Sequence, residues 1–130
     1  MKADYDIVVI GFGKAGKTLA AKFSKSGKSV ALIEKDKNMY GGTCINVGCI
    51  PSKRLITDAA KSTTVEFDKR AQYYREAVVE KKKLTAALNK ANYDKIASAG
   101  VDIIDGTASF KDDHHIIVST KDGNVEIKAE

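Results

Sequence analysis

The first third of the chain alternates between short apolar runs and one amphipathic stretch. Residues 5–10 are rich in β-branched side chains and predict a buried parallel strand. Residues 17–25 carry apolar side chains at helical spacing and end near Gly27, a common helix stop. A second strand is predicted over residues 29–33 and ends at Glu34. The pattern therefore predicts a right-handed β-α-β unit. The inner side of its helix is predicted to comprise Ala15, Leu19, Ala20 and Phe23.

Longer helices and short strands are predicted for the rest of the chain. One helix should begin near Cys49, with Pro51 in its first turn, where a missing N–H costs little, and continue to about residue 61. A long helix, whole or in two pieces, is predicted over residues 67–99 and is closed by Gly100. Its inner stripe is predicted to comprise Val78, Leu84, Leu88 and Ala91. Strands are predicted over residues 101–105, 109–110, 115–119 and 125–128, with a hairpin turn at 121–124.

The composition is that of an ordinary globular protein. The 130 residues, 43% of them hydrophobic and 30% charged, are enough for one modest domain with a core. No apolar run approaches the roughly 18 residues that a membrane span needs, and the N-terminus lacks the pattern of a signal peptide. We therefore expect a cytoplasmic protein without a membrane partner. In that compartment a cysteine pair is more often catalytic or metal-binding than structural.

Lysines dominate the net charge of +5. Such a balance can attract nucleic acid or anionic substrates. The few aromatic residues are not interleaved with the basic runs, as a base-stacking surface requires. We interpret the lysines as a solvated helix face and expect no nucleic-acid partner.

A glycine-rich turn separates the first strand from the first helix. Gly11, Gly13 and Gly16 form the pattern G-x-G-x-x-G, a weak signal alone that here follows a predicted strand and opens a predicted helix. These glycines permit a tight turn, close approach of a pyrophosphate and close helix–strand packing, while the helix N-terminus offers free N–H groups. Glu34 follows Gly16 by 18 positions, where an acid accepts ribose hydroxyls and repels a 2′-phosphate. The turn therefore predicts a dinucleotide site that excludes NADP; the alternative is a turn that binds nothing.

The two cysteines of the chain, Cys44 and Cys49, have four residues between them. Their thiols can meet if the intervening chain turns. Three interpretations are open: a redox-active pair, a structural disulfide, and a metal site completed by His114 and His115. Adjacent histidines in a strand point to opposite faces, and the expected compartment disfavours a structural disulfide. We favour the redox-active pair and expect no metal.

The residues around the cysteines favour reactive thiols. A helix that begins at Cys49, with Lys53 one turn later, would stabilise a thiolate. Free cysteine has a pKa of about 8.5, so lowering it by about two units would leave it mostly ionised at neutral pH. Gly42 and Gly48 leave room for a planar ring to approach. The alternative for Lys53 is an exposed surface lysine.

Two motifs resemble those of a known family. Residues 11–16 read G-F-G-K-A-G, and residues 41–53 read G-G-T-C-I-N-V-G-C-I-P-S-K. Together they closely resemble the start of the flavin-dependent pyridine nucleotide-disulfide oxidoreductases, which include dihydrolipoamide dehydrogenase, glutathione reductase and mercuric reductase. The whole chain is similar in layout, while the sharp motifs lie within residues 7–53. The resemblance implies an α/β fold, a Rossmann-like FAD-binding domain whose parallel sheet carries helices and a small antiparallel β-meander.

The resemblance also implies roles for individual residues. The cofactor at the glycine turn would be FAD, with NAD(P)H as co-substrate. Cys49 resembles the flavin-proximal thiol that forms a charge-transfer complex, and Cys44 resembles the interchange thiol that attacks substrate. Lys53 resembles the lysine that lies against flavin N5. The implied catalytic residues are therefore Cys44, Cys49 and Lys53. The implied cofactor-binding residues are Gly11, Gly13, Ala15, Gly16, Glu34, Lys35, Gly42, Thr43, Lys53 and, through its backbone, Ala108.

Residues 12, 14–20 and 39–42 further resemble one bacterial branch of the family, reductases that protect against reactive chlorine species and hypothiocyanous acid. Family members are several times longer, so residues 1–130 are interpreted as the N-terminal part of the FAD-binding domain, incomplete at its C-terminus and without the NAD(P)-binding and dimerisation domains. The resemblance thus implies a homodimeric enzyme in which NAD(P)H reduces a Cys44–Cys49 disulfide, which in turn reduces a small-molecule oxidant or disulfide substrate. The fragment alone is expected to be inactive.

Several alternatives to this function stay open. Within the family the protein could resemble dihydrolipoamide dehydrogenase or mercuric reductase. From other classes, it could be a stand-alone nucleotide-binding module or an NAD-binding dehydrogenase domain.

Overall fold

The computed structural model describes residues 3–130, which fold into two small sheets and four α-helices. The strands are β1 (Asp4–Tyr5), β2 (Ile7–Ile10), β3 (Val30–Glu34), β4 (Asp102–Asp105), β5 (Thr107–Phe110), β6 (His115–Thr120) and β7 (Gly123–Ala129). The helices are α1 (Lys14–Lys25), α2 (Thr43–Asn46), α3 (Cys49–Ser62) and α4 (Arg70–Ala97), with short 3-10 turns at Lys37–Met39 and Phe67–Lys69.

A three-stranded parallel sheet, in the order β2-β3-β4, forms the centre of the fold. All five residues of β3 are buried. Because side chains alternate along a strand, Val30 and Leu32 face one side of this sheet, while Ala31 and Ile33 face the other. The first side packs with α1 and the end of α4, and the second packs against the antiparallel sheet. The sheet therefore separates two hydrophobic cores.

The second sheet has the strand order β1-β7-β6-β5, in which β5, β6 and β7 form an antiparallel meander and β1 runs parallel to β7. The β6–β7 hairpin turns between Thr120 and Gly123, which pair with each other. The predicted α/β class, with a parallel sheet, helices and a small meander, is confirmed. Among the described residues, no helix combines the length and apolar character needed to cross a membrane.

Several element boundaries differ from prediction. The apolar run 5–10 is divided between the two sheets, because Tyr5 pairs with Ala129 whereas Ile7 pairs with Val30. Helix α1 begins at Lys14 rather than at residue 17. The four-residue helix α2 lies in a segment for which no element was predicted. The long helix α4 is continuous for 28 residues and packs along α3.

The inner faces of α1 and α4 were predicted only in part. On α1, Ala20 is fully buried, but Ala15, Leu19 and Phe23 are exposed. On α4, the exposed Ala91 lies off the inner face, which instead includes the buried Ile96. The remaining members of the predicted stripe, Val78, Leu84 and Leu88, are half-buried.

Candidate dinucleotide and thiol site

The glycine turn lies at the carboxyl end of β2, directly before α1. Gly11 adopts a φ of +99° and its N–H donates to the carbonyl of Ile33 (2.8 Å). A Cβ on Gly16 would lie 2.3 Å from the carbonyl oxygen of Gly11 and 3.1 Å from the side chain of Val9. Gly16 therefore allows α1 to pack closely on the strand that precedes it.

Gly13 differs from Gly16 in its surroundings. It stands at the start of α1 with an ordinary φ of −67°, and no side chain caps the helix. Apart from its immediate chain neighbours, no residue lies within 4 Å of a Cβ built on Gly13. A Cβ on Gly42, in contrast, would lie 2.8 Å from the Cα of Gly13, so the two backbones are in direct contact. Packing within the protein would therefore allow a side chain at Gly13. Because glycine has none, the free N–H groups at the start of α1 stay open to an anion.

A cavity of about 510 Å³ opens at this turn. Its lining includes the predicted residues Gly11, Gly13, Glu34, Lys35, Gly42, Thr43 and Ala108, together with Ile10, Phe12, Ile33, Met39, Gly106 and Thr107. Ala15, Gly16 and Lys53 are not among the lining residues. Ala15 is exposed in the first turn of α1, and Lys53 is exposed on α3.

Glu34 ends β3 and is almost completely buried, with 9% of its surface exposed. The backbone N–H of Phe12 donates to its Oε2 (2.9 Å), and the N–H of Asp36 donates to its Oε1 (3.2 Å). The carboxylate is thus fixed by two backbone donors, yet each oxygen can accept a further hydrogen bond. Glu34 is therefore oriented to accept hydroxyl donors within the cavity that it lines.

Tyr40 fixes the loop that follows β3, although sequence reasoning did not select it as a site residue. Its hydroxyl donates a short hydrogen bond to Asp105 at the end of β4. Its ring centroid lies 5.2 Å from that of Phe12 and 4.9 Å from that of Tyr93. Burial, followed by the hydrogen bond and the charge of Asp105, raises the pKa of Tyr40. Tyr40 thus connects the glycine turn, the loop, β4 and α4.

The two cysteines occupy the ends of adjacent helices. Cys44 lies in α2 and Cys49 is the first residue of α3. The carbonyl of Thr43 accepts the N–H groups of Val47 (3.0 Å) and Gly48 (2.8 Å), which turns the chain between them. Both thiols are free and exposed. The hydrogen bond between the two side chains, then burial and the charge of Cys49, raise the pKa of Cys44. The structure therefore places the two thiols near enough for Cys49 to influence the ionisation of Cys44.

The histidine pair is engaged elsewhere. His115 Nδ1 lies 2.8 and 2.9 Å from the two carboxylate oxygens of Asp112, and His114 Nδ1 lies 3.1 Å from the carbonyl oxygen of Ala129. The His115 contact lies within the β5–β6 hairpin, and the His114 contact joins that hairpin to β7. Within residues 3–130, no group of three or more histidine, cysteine or acidic side chains is arranged to hold a metal ion.

Comparison with known proteins identifies the family. A family profile described as pyridine nucleotide-disulphide oxidoreductase matches residues 5–129. The chain belongs to this family. Its members bind FAD and use NAD(P)H as co-substrate. The predicted family resemblance is therefore confirmed.

Individual relatives agree with this assignment. The chain is 43% identical over 127 residues to the probable pyridine nucleotide-disulfide oxidoreductase RclA of Escherichia coli, covering 97% of this chain and 27% of that protein. It is 35% identical to dihydrolipoamide dehydrogenase of Chaetomium thermophilum, covering 94% and 26% of the two chains. It is 34% identical to mercuric reductase of Staphylococcus aureus, covering 89% and 22%. The chain thus spans about a quarter of the length of these relatives.

Solved structures show the same relationship. The Cu(II) complex of the HOCl-induced flavoprotein disulfide reductase RclA of Escherichia coli superimposes with a TM-score of 0.87 at 42% identity, over 99% of this chain and 27% of that chain. A structure of the same protein described without copper gives a TM-score of 0.82 at 44% identity, over 95% of this chain and 26% of that chain. The fold is therefore that of the corresponding region of a larger flavoprotein.

Proposed function

We propose that residues 1–130 form the N-terminal part of the FAD-binding domain of a flavin-dependent disulfide reductase. The observation that carries this proposal is that two free, exposed thiols, Cys44 and Cys49, lie close together on adjacent helices, directly after the cavity-lining residues Gly42 and Thr43. A glycine-lined nucleotide cavity alone is common to many oxidoreductases. Its combination with a thiol pair at the start of a helix is typical of thiol–disulfide chemistry.

The cavity has the features that FAD requires. The open backbone at Gly13 and the uncapped N-terminus of α1 suit the pyrophosphate, Glu34 suits the ribose hydroxyls, and Ala108 offers its backbone to the adenine. When bound, FAD would supply two electrons from NAD(P)H to the Cys44–Cys49 disulfide. Lys53, one turn after Cys49 on α3, is proposed to lie beside the flavin ring. Ala15, Gly16 and Lys35 would support the site around the phosphates and the ribose.

The thiol pair can then reduce a substrate by exchange. Cys44, as thiolate, attacks an electrophilic sulfur of the substrate, and the bond from that sulfur to its leaving group breaks. Cys49 then attacks Cys44 Sγ, which releases the reduced sulfur group and restores the disulfide. The hydrogen bond between the thiols raises the pKa of Cys44, so this thiol must lose its proton before it attacks.

The wider activity follows from the relatives. We propose that the whole protein is a cytoplasmic homodimer that uses NAD(P)H and acts on a small-molecule oxidant or disulfide, with hypothiocyanous acid as the leading substrate. A solved relative at 42% identity is described as HOCl-induced, which supports an oxidant. Dihydrolipoamide dehydrogenase and mercuric reductase activities are alternatives, supported by identities of 35% and 34%. Turnover of hypothiocyanous acid, lipoamide and Hg²⁺ by one preparation separates these substrates.

An anaerobic titration of the whole protein with NADH or NADPH tests the proposal. The wild type should take up the electrons of its flavin plus the two electrons of one disulfide, because the pair is a second acceptor. The Cys44→Ser and Cys49→Ser variants should take up only the electrons of the flavin. Equal uptake by all three proteins, or a colourless preparation that binds NAD, would contradict the proposal.

A further inference from the structure

Lys17 has an unusual environment for a lysine on a helix surface. Its Nζ lies 2.5 Å from Asn92 Oδ1 on α4 and 3.4 Å from the carbonyl oxygen of Gly41, in the loop before α2. The ammonium group therefore connects three parts of the fold that are distant in sequence. Within the described residues, no carboxylate forms an ion pair with Lys17, so the contact is made to neutral oxygens.

The partner Asn92 is itself fixed in place. Its Nδ2 donates to the carbonyl of Leu88 one turn earlier on α4 (2.7 Å). Gly41 adopts a φ of +91°, and a Cβ at this position would lie 3.0 Å from Asn92 Cγ and 2.8 Å from the end of the Ile45 side chain. The loop thus packs closely on the asparagine, and the positive φ of Gly41 favours glycine at this position.

A second asparagine pair holds the same loop from the other side. Asn46 Nδ2 donates to the carbonyls of Tyr40 (3.0 Å) and Gly42 (2.9 Å), and Asn89 Nδ2 donates to Asn46 Oδ1 (3.2 Å). Three consecutive carbonyls, those of residues 40–42, are therefore bound by side chains from α1 and α2, which in turn contact Asn92 and Asn89 of α4. Cys44 follows this loop by two residues, so the network fixes the position of its backbone.

The positive charge of Lys17 also acts on this thiol. Burial, and then repulsion from Lys95, lowers the pKa of Lys17, whereas the charge of Cys44 raises it. The ionisable groups that act on Cys44 include Cys49 from α3, and the cationic Lys14 and Lys17 from α1.

We propose that Lys17 is a positioning residue for Cys44, which holds the thiol-bearing turn against α4 and supplies positive charge to the Cys44 thiolate. The proposal rests on the proposed function, since Cys44 is there the thiol that attacks substrate. According to this proposal, a residue of α1 influences the reactivity of a thiol on α2.

The test is the pH dependence of Cys44 alkylation by iodoacetamide in the whole protein carrying Cys49→Ser, followed on the Cys44 peptide by mass spectrometry. Because only the thiolate reacts, the rate reports ionisation of Cys44 without turnover. Lys17→Met should lower the rate at neutral pH about threefold and move the midpoint of the profile to higher pH, because a cation that stabilises the thiolate is lost. Lys17→Arg should restore the parent profile.

Two further variants complete the design. Lys22→Met removes an exposed lysine of the same helix and should leave the profile unchanged. Asn92→Ala removes the shortest hydrogen bond of Lys17 but keeps its charge, and should shift the midpoint in the same direction by a smaller amount. It also serves if Lys17→Met does not fold. The proposal is overturned if the midpoint of the Lys17→Met profile equals that of Lys22→Met. If only Asn92→Ala folds, the same comparison is made with that variant.

The outcome is separable from that of the proposed function. If the protein formed no Cys44–Cys49 disulfide, the proposed reductase would fail, while the effect of Lys17 on Cys44 alkylation would still be measurable.

Discussion

The three glycines of the turn have the same sequence signature but different physical roles. Gly11 adopts a positive φ, Gly16 lies against the backbone of Gly11, and Gly13 faces open space. The pattern G-x-G-x-x-G predicts all three, but only the structure distinguishes a glycine required by the fold from one that leaves room for a ligand. This difference can be tested by adding a single methyl group.

Gly13→Ala should leave the protein folded and remove its flavin. Apart from the immediate chain neighbours, no residue lies within 4 Å of the new Cβ, so the free energy of unfolding should change by less than about 1 kcal/mol. The methyl group would, however, occupy space needed by the pyrophosphate. The measurements are urea unfolding of the apoprotein and the flavin content after purification.

Gly16→Ala is the matched control and should behave in the opposite way. Its Cβ would lie 2.3 Å from the carbonyl oxygen of Gly11, which requires α1 to move and should destabilise the protein by about 1–3 kcal/mol. A Gly13→Ala protein that retains stoichiometric FAD would contradict the assignment of the cavity.

Glu34→Gln should destabilise the protein although it preserves size. Glu34 accepts from the N–H groups of Phe12 and Asp36, and the amide NH₂ of glutamine would face one of these donors. A buried donor without an acceptor costs about 1–3 kcal/mol. Thermal unfolding compared with Glu66→Gln, at an exposed position, measures this cost. Equal stability of the two variants would show that the Glu34 carboxylate is not fixed by the backbone.

Helix α1 shows that a hydrophobic pattern can predict a helix without predicting which of its faces is buried. Leu19 and Phe23 are its largest apolar side chains, yet they are exposed, and the buried position is Ala20. Gly16 must pack on the preceding strand, so the residues one and two turns later, Ala20 and Ser24, face the same way. The glycine motif therefore indicates which face of the helix packs on the strand. Side-chain size alone indicated the wrong face.

The loop after β3 depends on Tyr40, which leads to a prediction of pH dependence. Tyr40→Phe keeps the ring contacts but removes the hydrogen bond to Asp105, and should lower the free energy of unfolding by about 1–2 kcal/mol at neutral pH. Urea unfolding measures this change, with Tyr93→Phe as the control.

The sign of the pH effect follows from the raised pKa of Tyr40. The unfolded tyrosine ionises near its ordinary pKa of 10.0 while the folded one stays protonated, so the contribution is fully present below that pH and is lost as the pH rises above it. The wild type should therefore lose stability above about pH 10 more steeply than Tyr40→Phe. Parallel curves would contradict the assigned hydrogen bond.

In the molecule as a whole, features that depend on a local sequence pattern were predictable, whereas long-range contacts were not. The parallel sheet, the meander and the cavity residues Gly11, Glu34 and Gly42 were predictable because each depends on a short motif or on strand periodicity. The Tyr40–Asp105 and Lys17–Asn92 hydrogen bonds join residues 65 and 75 positions apart, and neither leaves a local pattern. The sequence therefore predicted residues that line the cavity. It did not predict the residues that position the loop between β3 and α2.

The central claim is that Cys44 and Cys49 form one redox pair beside the flavin cavity. Peptide mapping by mass spectrometry, on the whole protein alkylated before and after anaerobic addition of NADH or NADPH, tests it most directly. We expect a Cys44–Cys49 disulfide in the oxidised protein and two alkylated cysteines after reduction. If both cysteines are already alkylated before the reductant is added, or if the disulfide persists after it, the account is contradicted.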